Sequence, residues 1–180
     1  WNTYSFFVTY ANIDKFDPRQ AEALEHRSEL DRWILSELNQ LIDAVTKAFD
    51  NYDATGAGRK IEGFVDDLSN WYIRRSRRRF WKSENDADKQ SAHATLYECL
   101  TTVTKLLAPI TPFIPEEIYQ NLVCSYYPNA PQSVHLVDFP SADRTKIDER
   151  LSADTQLVMK VNSLGRSART KAATKEGHPL

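Results

Sequence analysis

The sequence predicts an all-α fold, a helical bundle, and three observations carry that expectation. Glycines number only five among 180 residues, too few for a protein built on tight β-turns. Long uninterrupted stretches are rich in Leu, Ala, Glu, Lys and Arg, the residues that lose least on entering a helix. Apolar side chains recur at spacings of three and four, the mark of a single buried helical face, and prolines fall at the corners between such stretches. A hydrophobic content of 41% over this length can fill one real core.

Residues 2–11 predict a short apolar helix. "NIDKFDPRQAEALEHRSE" predicts a polar linker through Pro18, so 1–27 reads as a leading helix and linker. The strongest helical signal follows over 29–53, where Leu30, Ile34, Leu38, Leu41, Val45, Ala48, Phe49 and Tyr52 keep the period, with Ser28 and Asp31 able to cap the first turn. Gly56 and Gly58 in "TGAG" predict a break, and a second long helix starts at Lys60 with Ile61, Phe64, Val65, Leu68, Trp71 and Tyr72 on one face. "SENDADKQ" closes it.

A third helix is expected over 87–107, with Leu96, Leu100, Val103, Leu106 and Leu107 inward; Pro109 and Pro112 stop it. Pro115 opens a fourth over 115–124, since proline suits a first helical position. "SYYPNAPQ" reads as a loop and "SVHLVDF", 133–139, as at most one short extended segment. The last helix is expected over 146–172, with Ile147, Leu151, Leu157, Val158, Val161 and Leu164 as its buried stripe. Without a repeat or an internal boundary, 1–180 reads as a single domain. Trp1 in the place of Met suggests an excised piece, and 173–180 the start of a truncated C-terminal region.

The charge is unevenly placed. Net charge is −2, from 23 cations and 25 acids, yet 71–82 holds Arg74, Arg75, Arg77, Arg78, Arg79 and Lys82 with no acid. Residues 160–175 repeat the pattern with Lys160, Arg166, Arg169, Lys171 and Lys175. An acidic body with two basic helical segments points to an anionic partner at a defined place. On a 100° wheel Arg75 and Arg79 continue the apolar arc of Phe64, Leu68 and Tyr72, while Ile73 and Phe80 lie roughly opposite. The helix is therefore expected to leave its own bundle beyond Tyr72 and meet something else.

Like-charged pairs three or four apart repel by about 0.2–0.5 kcal/mol each in an isolated helix. Solvent and salt, acids on neighbouring helices, or the phosphates of a nucleic acid could each relieve them. The interleaved Trp71, Tyr72, Phe80 and Trp81 favour RNA, because arginine beside rings suits phosphate forks and base stacking. A face paired internally, or one docked onto another protein domain, stays open beside that reading.

Catalytic and metal signatures are missing. His26, His93, His135 and His178 are scattered without HxH or HExxH spacing and read as surface or satisfied histidines. Asp66 and Asp67 point about 100° apart on a helix, poor geometry for paired acid and base work, and are expected to pair with nearby cations. Cys99 and Cys124 form neither a disulfide framework nor a CxxC pair, and suit a reducing, cytoplasmic setting. The apolar start "WNTYSFFVTYA" is too short to span a bilayer, so no membrane partner is expected.

In this order, "LDRWILSELNQLIDAVTKAFDNYD", "FVDDLSNWYIRRSRRRFW", "TLYECLTTVTKLLAPITPFIPEEIYQNL" and "SVHLVDFP" resemble the anticodon-binding helical domain of class Ia aminoacyl-tRNA synthetases. The "LSNWYIRRSRRRFW" element is similar to the isoleucyl branch; valyl enzymes are similar in "WILS" and in "PF" before an acidic helix, and remain an alternative. The resemblance implies binding and positioning of the anticodon arm of a tRNA, the isoleucine acceptor, for ligation of isoleucine with ATP by a larger enzyme. The candidate contacts are Arg74, Arg75, Arg78, Arg79 and Trp81, with Arg166, Arg169 and Lys171 as a second group.

The synthetase's own catalytic domain is the other implied partner, and docking onto it is the alternative use of the basic helix. The H-I-G-H and K-M-S-K-S signatures of that catalytic domain are absent, so the chain is expected to be non-catalytic and without a cofactor. ATP and magnesium are implied for the catalytic domain of the full enzyme. Gly177 and His178 stand where the family has Arg-Gln, which sets aside any role of that dipeptide.

Overall fold

The computed structural model describes residues 1–20, 27–82 and 86–171, without the side chains of Lys82 and Asp86. The linker at 21–26 with His26, part of "SENDADKQ" at 83–85, and the C-terminal stretch 172–180 with Gly177 and His178 lie outside the described residues. Among the described residues every regular element is helical. Backbone contacts group the chain into two compact units, Trp1–Ile147 and Asp148–Leu180, where the sequence suggested one.

The first unit holds six α-helices: α1 (Asn2–Asp14), α2 (Glu29–Asp50), α3 (Ala54–Asp66), α4 (Arg74–Lys82), α5 (Asp86–Leu107) and α6 (Phe113–Tyr119). α2 packs against α3 and α5, and α5 also carries α1 and α4. Trp33, Ile34, Leu35, Leu38, Leu41, Ile42 and Val45 of α2 are buried against Leu96, Cys99, Leu100, Val103 and Leu106 of α5 and the inner residues of α3. The expected cap is present. Ser28 Oγ accepts the Asp31 N–H at 3.2 Å and the Asp31 carboxylate accepts the Ser28 N–H at 3.2 Å, a capping box.

The glycines of "TGAG" do not break the second helix, which starts at Ala54 and not at Lys60. The reversal is made just before them. Tyr52 takes a left-handed φ of 59°, and the Asp53 carboxylate caps the new helix by accepting the Gly56 N–H at 2.8 Å. A Cβ on Gly56 would stand 2.0 Å from Asp53 Oδ2, so the absent side chain is what lets the cap close.

α3 and α4 are joined without interruption by a π-helical stretch, Asp67–Ile73. A π turn takes an extra residue, so positions beyond it are rotated by about 100° from their place on an uninterrupted α wheel. That overturns the expectation that the helix leaves its bundle after Tyr72. The buried stripe runs on through Ile61, Phe64, Leu68, Tyr72, Ile73, Ser76 and Phe80. Phe80 comes back to the core and Arg75 is carried out to solvent.

A second π-helical stretch, Gln120–Cys124, extends α6. The segment 133–139 is not extended throughout: Val134–Leu136 forms a 3-10 turn, with Ser133 Oγ accepting the His135 N–H. Val134 is buried in a small cluster with Ala108 and Tyr119. Asp66 and Asp67 have no cation within salt-bridge distance among the described residues. Asp66 instead accepts a long 3.5 Å bond from Asn70, and burial together with Glu37 and Asp66 raises the Asp67 carboxyl.

The second unit contains α7 (Glu149–Lys171). Its expected buried stripe is not buried: Leu157, Val158, Val161 and Leu164 are exposed, Leu164 to 71%. α7 is the single described element of its unit, so that unit offers no second layer to cover them.

Candidate nucleic-acid interface

The five arginines of α4 divide by direction. Arg79 points inward. Its Nη1 and Nη2 donate to the two carboxylate oxygens of Asp31 at 2.8 and 2.7 Å, and its Nε donates to Asp88 Oδ2 at 3.0 Å. Asp31 is fully buried and also accepts from the Tyr72 hydroxyl at 2.6 Å and from Ser28 Oγ at 2.8 Å. Burial alone would raise the Asp31 carboxyl; the Arg79 fork, helped by the Tyr72 and Ser28 hydroxyls, holds it below the ordinary carboxylate value. Burial likewise opposes the charge on Arg79, and its two acids more than offset that. With its fork filled by Asp31 and Asp88, Arg79 stands apart from the other candidate contacts.

Arg74, Arg75, Arg77 and Arg78 are exposed. Among the described residues, Arg74, Arg77 and Arg78 have no acid within salt-bridge distance. At 100° per residue, Arg77, Trp81, Arg74, Arg78 and Arg75 follow one another round about 160° of the helix, opposite Ser76 and Phe80. Tryptophans mark both edges of this face. The Arg75 guanidinium lies 3.3 Å from the centre of the Trp71 ring, and that of Arg77 5.2 Å from Trp81. Such pairs contribute about 0.5–1 kcal/mol at an exposed site and hold a guanidinium in a chosen plane.

Trp81 is 45% exposed, while Phe80 beside it is buried. The Tyr10 ring of α1 stands 6.2 Å from Trp81, and Phe6 stands 5.0 Å from Phe80. Behind them Phe80 meets His93 at 4.9 Å. His93 is fully buried; its Nε2 lies 2.9 Å from Asp14, which Lys89 also holds at 2.9 Å. Burial pushes the His93 imidazole below its usual value, partly offset by Asp14. α1 is thereby tied to α5 next to the exposed end of α4.

On α7, Arg166 and Lys171 are exposed and Arg169 is half-buried. Arg166 and Arg169 share a face, three residues apart, whereas Lys171 lies about 140° round from Arg166. The three do not form one row on their helix.

Sequence reasoning left Arg77, Tyr10 and Asp31 outside the candidate set. The i, i+4 spacing of Arg77 and Trp81 was a readable sign of a stacked pair. Asp31 falls on the buried register of Ile34, Leu38 and Val45, where an acid demands a partner. Tyr10 carried no such sign, because only the fold brings α1 beside Trp81.

The chain is similar to known proteins along its length. The profile of the family described as the anticodon-binding domain of tRNA ligase matches residues 31–180. An isoleucine–tRNA ligase of Dehalococcoides mccartyi is 65% identical over 180 residues, covering 100% of this chain and 18% of that protein. Isoleucine–tRNA ligases of Thermus thermophilus and Streptomyces coelicolor are 50% and 49% identical over 181 residues, covering 100% of this chain and 17% of each protein. The chain thus spans less than a fifth of the length of these relatives.

Proposed function

The chain belongs to the family of anticodon-binding domains of tRNA ligases, and from that premise we propose that it binds the anticodon arm of isoleucine tRNA and positions that tRNA for a larger isoleucine–tRNA ligase acting in the cytoplasm. The observation that carries the reading is the outward face of α4. Three arginines there have no acid partner among the described residues, on a chain whose net charge is −2.

Arg74 and Arg78 are offered to phosphates of the stem, with Arg75 beside them over the Trp71 ring. Trp81 is offered to the loop. Arg166, Arg169 and Lys171 on α7 form the second proposed group. Arg79 is left out, because Asp31 and Asp88 occupy its fork. Contacts of this kind fix register and orientation, so the chain contributes placement of the substrate to the ligation.

Ligation itself belongs to the catalytic domain of the larger enzyme, the second proposed partner, with ATP and magnesium. Among the described residues no three of His, Cys, Asp and Glu are grouped to hold a metal ion.

The test is binding of this chain to an isoleucine tRNA transcript and to the same transcript with its anticodon arm deleted. Binding that is lost with the arm is expected; equal binding to both transcripts would overturn the assignment.

A further inference from the structure

A solitary exposed tryptophan needs no explanation, but Trp81 is not solitary. It is 45% exposed, and its ring is backed by a chain of aromatic contacts leading inward. Tyr10 stands 6.2 Å from it, Phe6 stands 4.8 Å from Tyr10, and the buried Phe80 stands 5.0 Å from Phe6. Arg77 lies 5.2 Å from the indole centre, and Arg74 and Arg78 follow on the same face of α4. The ring is thus braced by α1 and bordered by cations. Little side-chain freedom remains to be lost when something covers it.

We infer that Trp81, Tyr10 and Arg77 form a seat for one unpaired nucleotide of RNA, whose base stacks on the indole while Arg74 and Arg78 meet phosphates of the adjoining stem. The inference rests on the tRNA reading above and sharpens it, since it assigns α4 to the junction of stem and loop and not to a continuous duplex. The chemistry favours that occupant. An unpaired nucleotide beside a stem offers a flat base to the indole and backbone phosphates to the neighbouring arginines, whereas the bases of a closed duplex present no free face. An acidic protein surface would satisfy the cations but has no use for a braced ring among them.

The experiment titrates this chain with two RNAs: the anticodon arm as a hairpin with its loop unpaired, and the same stem as a blunt duplex. Trp81→Ala is expected to weaken hairpin binding roughly five- to a hundredfold and to leave duplex binding and the salt dependence of both RNAs unchanged. Trp81→Phe is expected to recover part of the loss, and Tyr10→Ala to lose part of it. Thermal unfolding of each variant guards against a collapsed fold, which would lower both titrations together.

If Trp81→Ala weakens hairpin and duplex equally, or changes neither while Arg74→Gln/Arg78→Gln still weakens both, the stacking seat is wrong and the tRNA reading survives. The second of those results is also the one expected if the ring serves a protein surface. If the unaltered chain binds neither RNA, both readings fall together.

Discussion

His93 shows how one side chain couples charge to packing. Its imidazole is fully buried among Phe7, Phe16 and Phe80, and of its two nitrogens Nε2 faces Asp14 while Nδ1 has no hydrogen-bond partner. A proton on that ring is disfavoured by burial, so the folded state takes it up below the ordinary value of 6.5 at which the unfolded chain does. The stability contributed by the neutral ring is therefore complete above about pH 6.5 and lost as the pH falls below it. Asp14 and Asp31 act lower on the scale. Both carboxyls are held below 3.8, so their contribution persists until the pH falls towards and past that value. Denaturant unfolding followed from pH 8 to pH 3 is expected to show two declines. His93→Leu should remove the upper one and leave the lower; an unchanged upper decline would assign it elsewhere.

Within the long α3–α4 rod, the ion pair of Arg79 with Asp31 joins α4 to α2, and its second acid, Asp88, brings in α5. Removing one member of a buried pair leaves the other charged and unpaired, at a cost of about 3–5 kcal/mol. Asp31→Asn removes the buried carboxylate, leaves Arg79 with the half-exposed Asp88 as its acid and disturbs the capping box, so its midpoint in urea should fall markedly. Asp88→Asn, at a half-exposed acid, should cost much less. Equal effects would contradict the central place given to Asp31.

Most elements here were legible from period and punctuation: the α2 stripe from Leu30 to Ala48, the Ser28–Asp31 cap, and the proline corner at 109–115. What escaped has a common physical cause. A wheel assumes a constant turn, and the π-helical stretch Asp67–Ile73 violates it, which is why Phe80 was placed outside and Arg75 on the core side, whereas Arg79 does face inward, to Asp31. Gly56 was read as a breaker because its role depends on the approach of the Asp53 carboxylate, a contact that composition does not encode. The α7 stripe failed for a different reason: periodicity marks a face that could be buried, not one that its unit buries.

At the scale of the whole molecule, the fold sorts the five arginines of α4 by direction. Among the described residues, Asp31 and Asp88 pair with Arg79 inside the bundle, while Arg74, Arg77 and Arg78 on the outward face of α4 have no acid within salt-bridge distance. That division of α4 is the central claim. It is tested most directly by the dependence of isoleucine tRNA affinity on salt, measured for this chain and for its Arg74→Gln/Arg78→Gln variant. Each phosphate neutralised adds close to one to the slope of log affinity against log salt, so the variant is expected to bind more weakly with a slope shallower by about 2, at unchanged unfolding stability. An unchanged slope would contradict the assignment of that face to RNA.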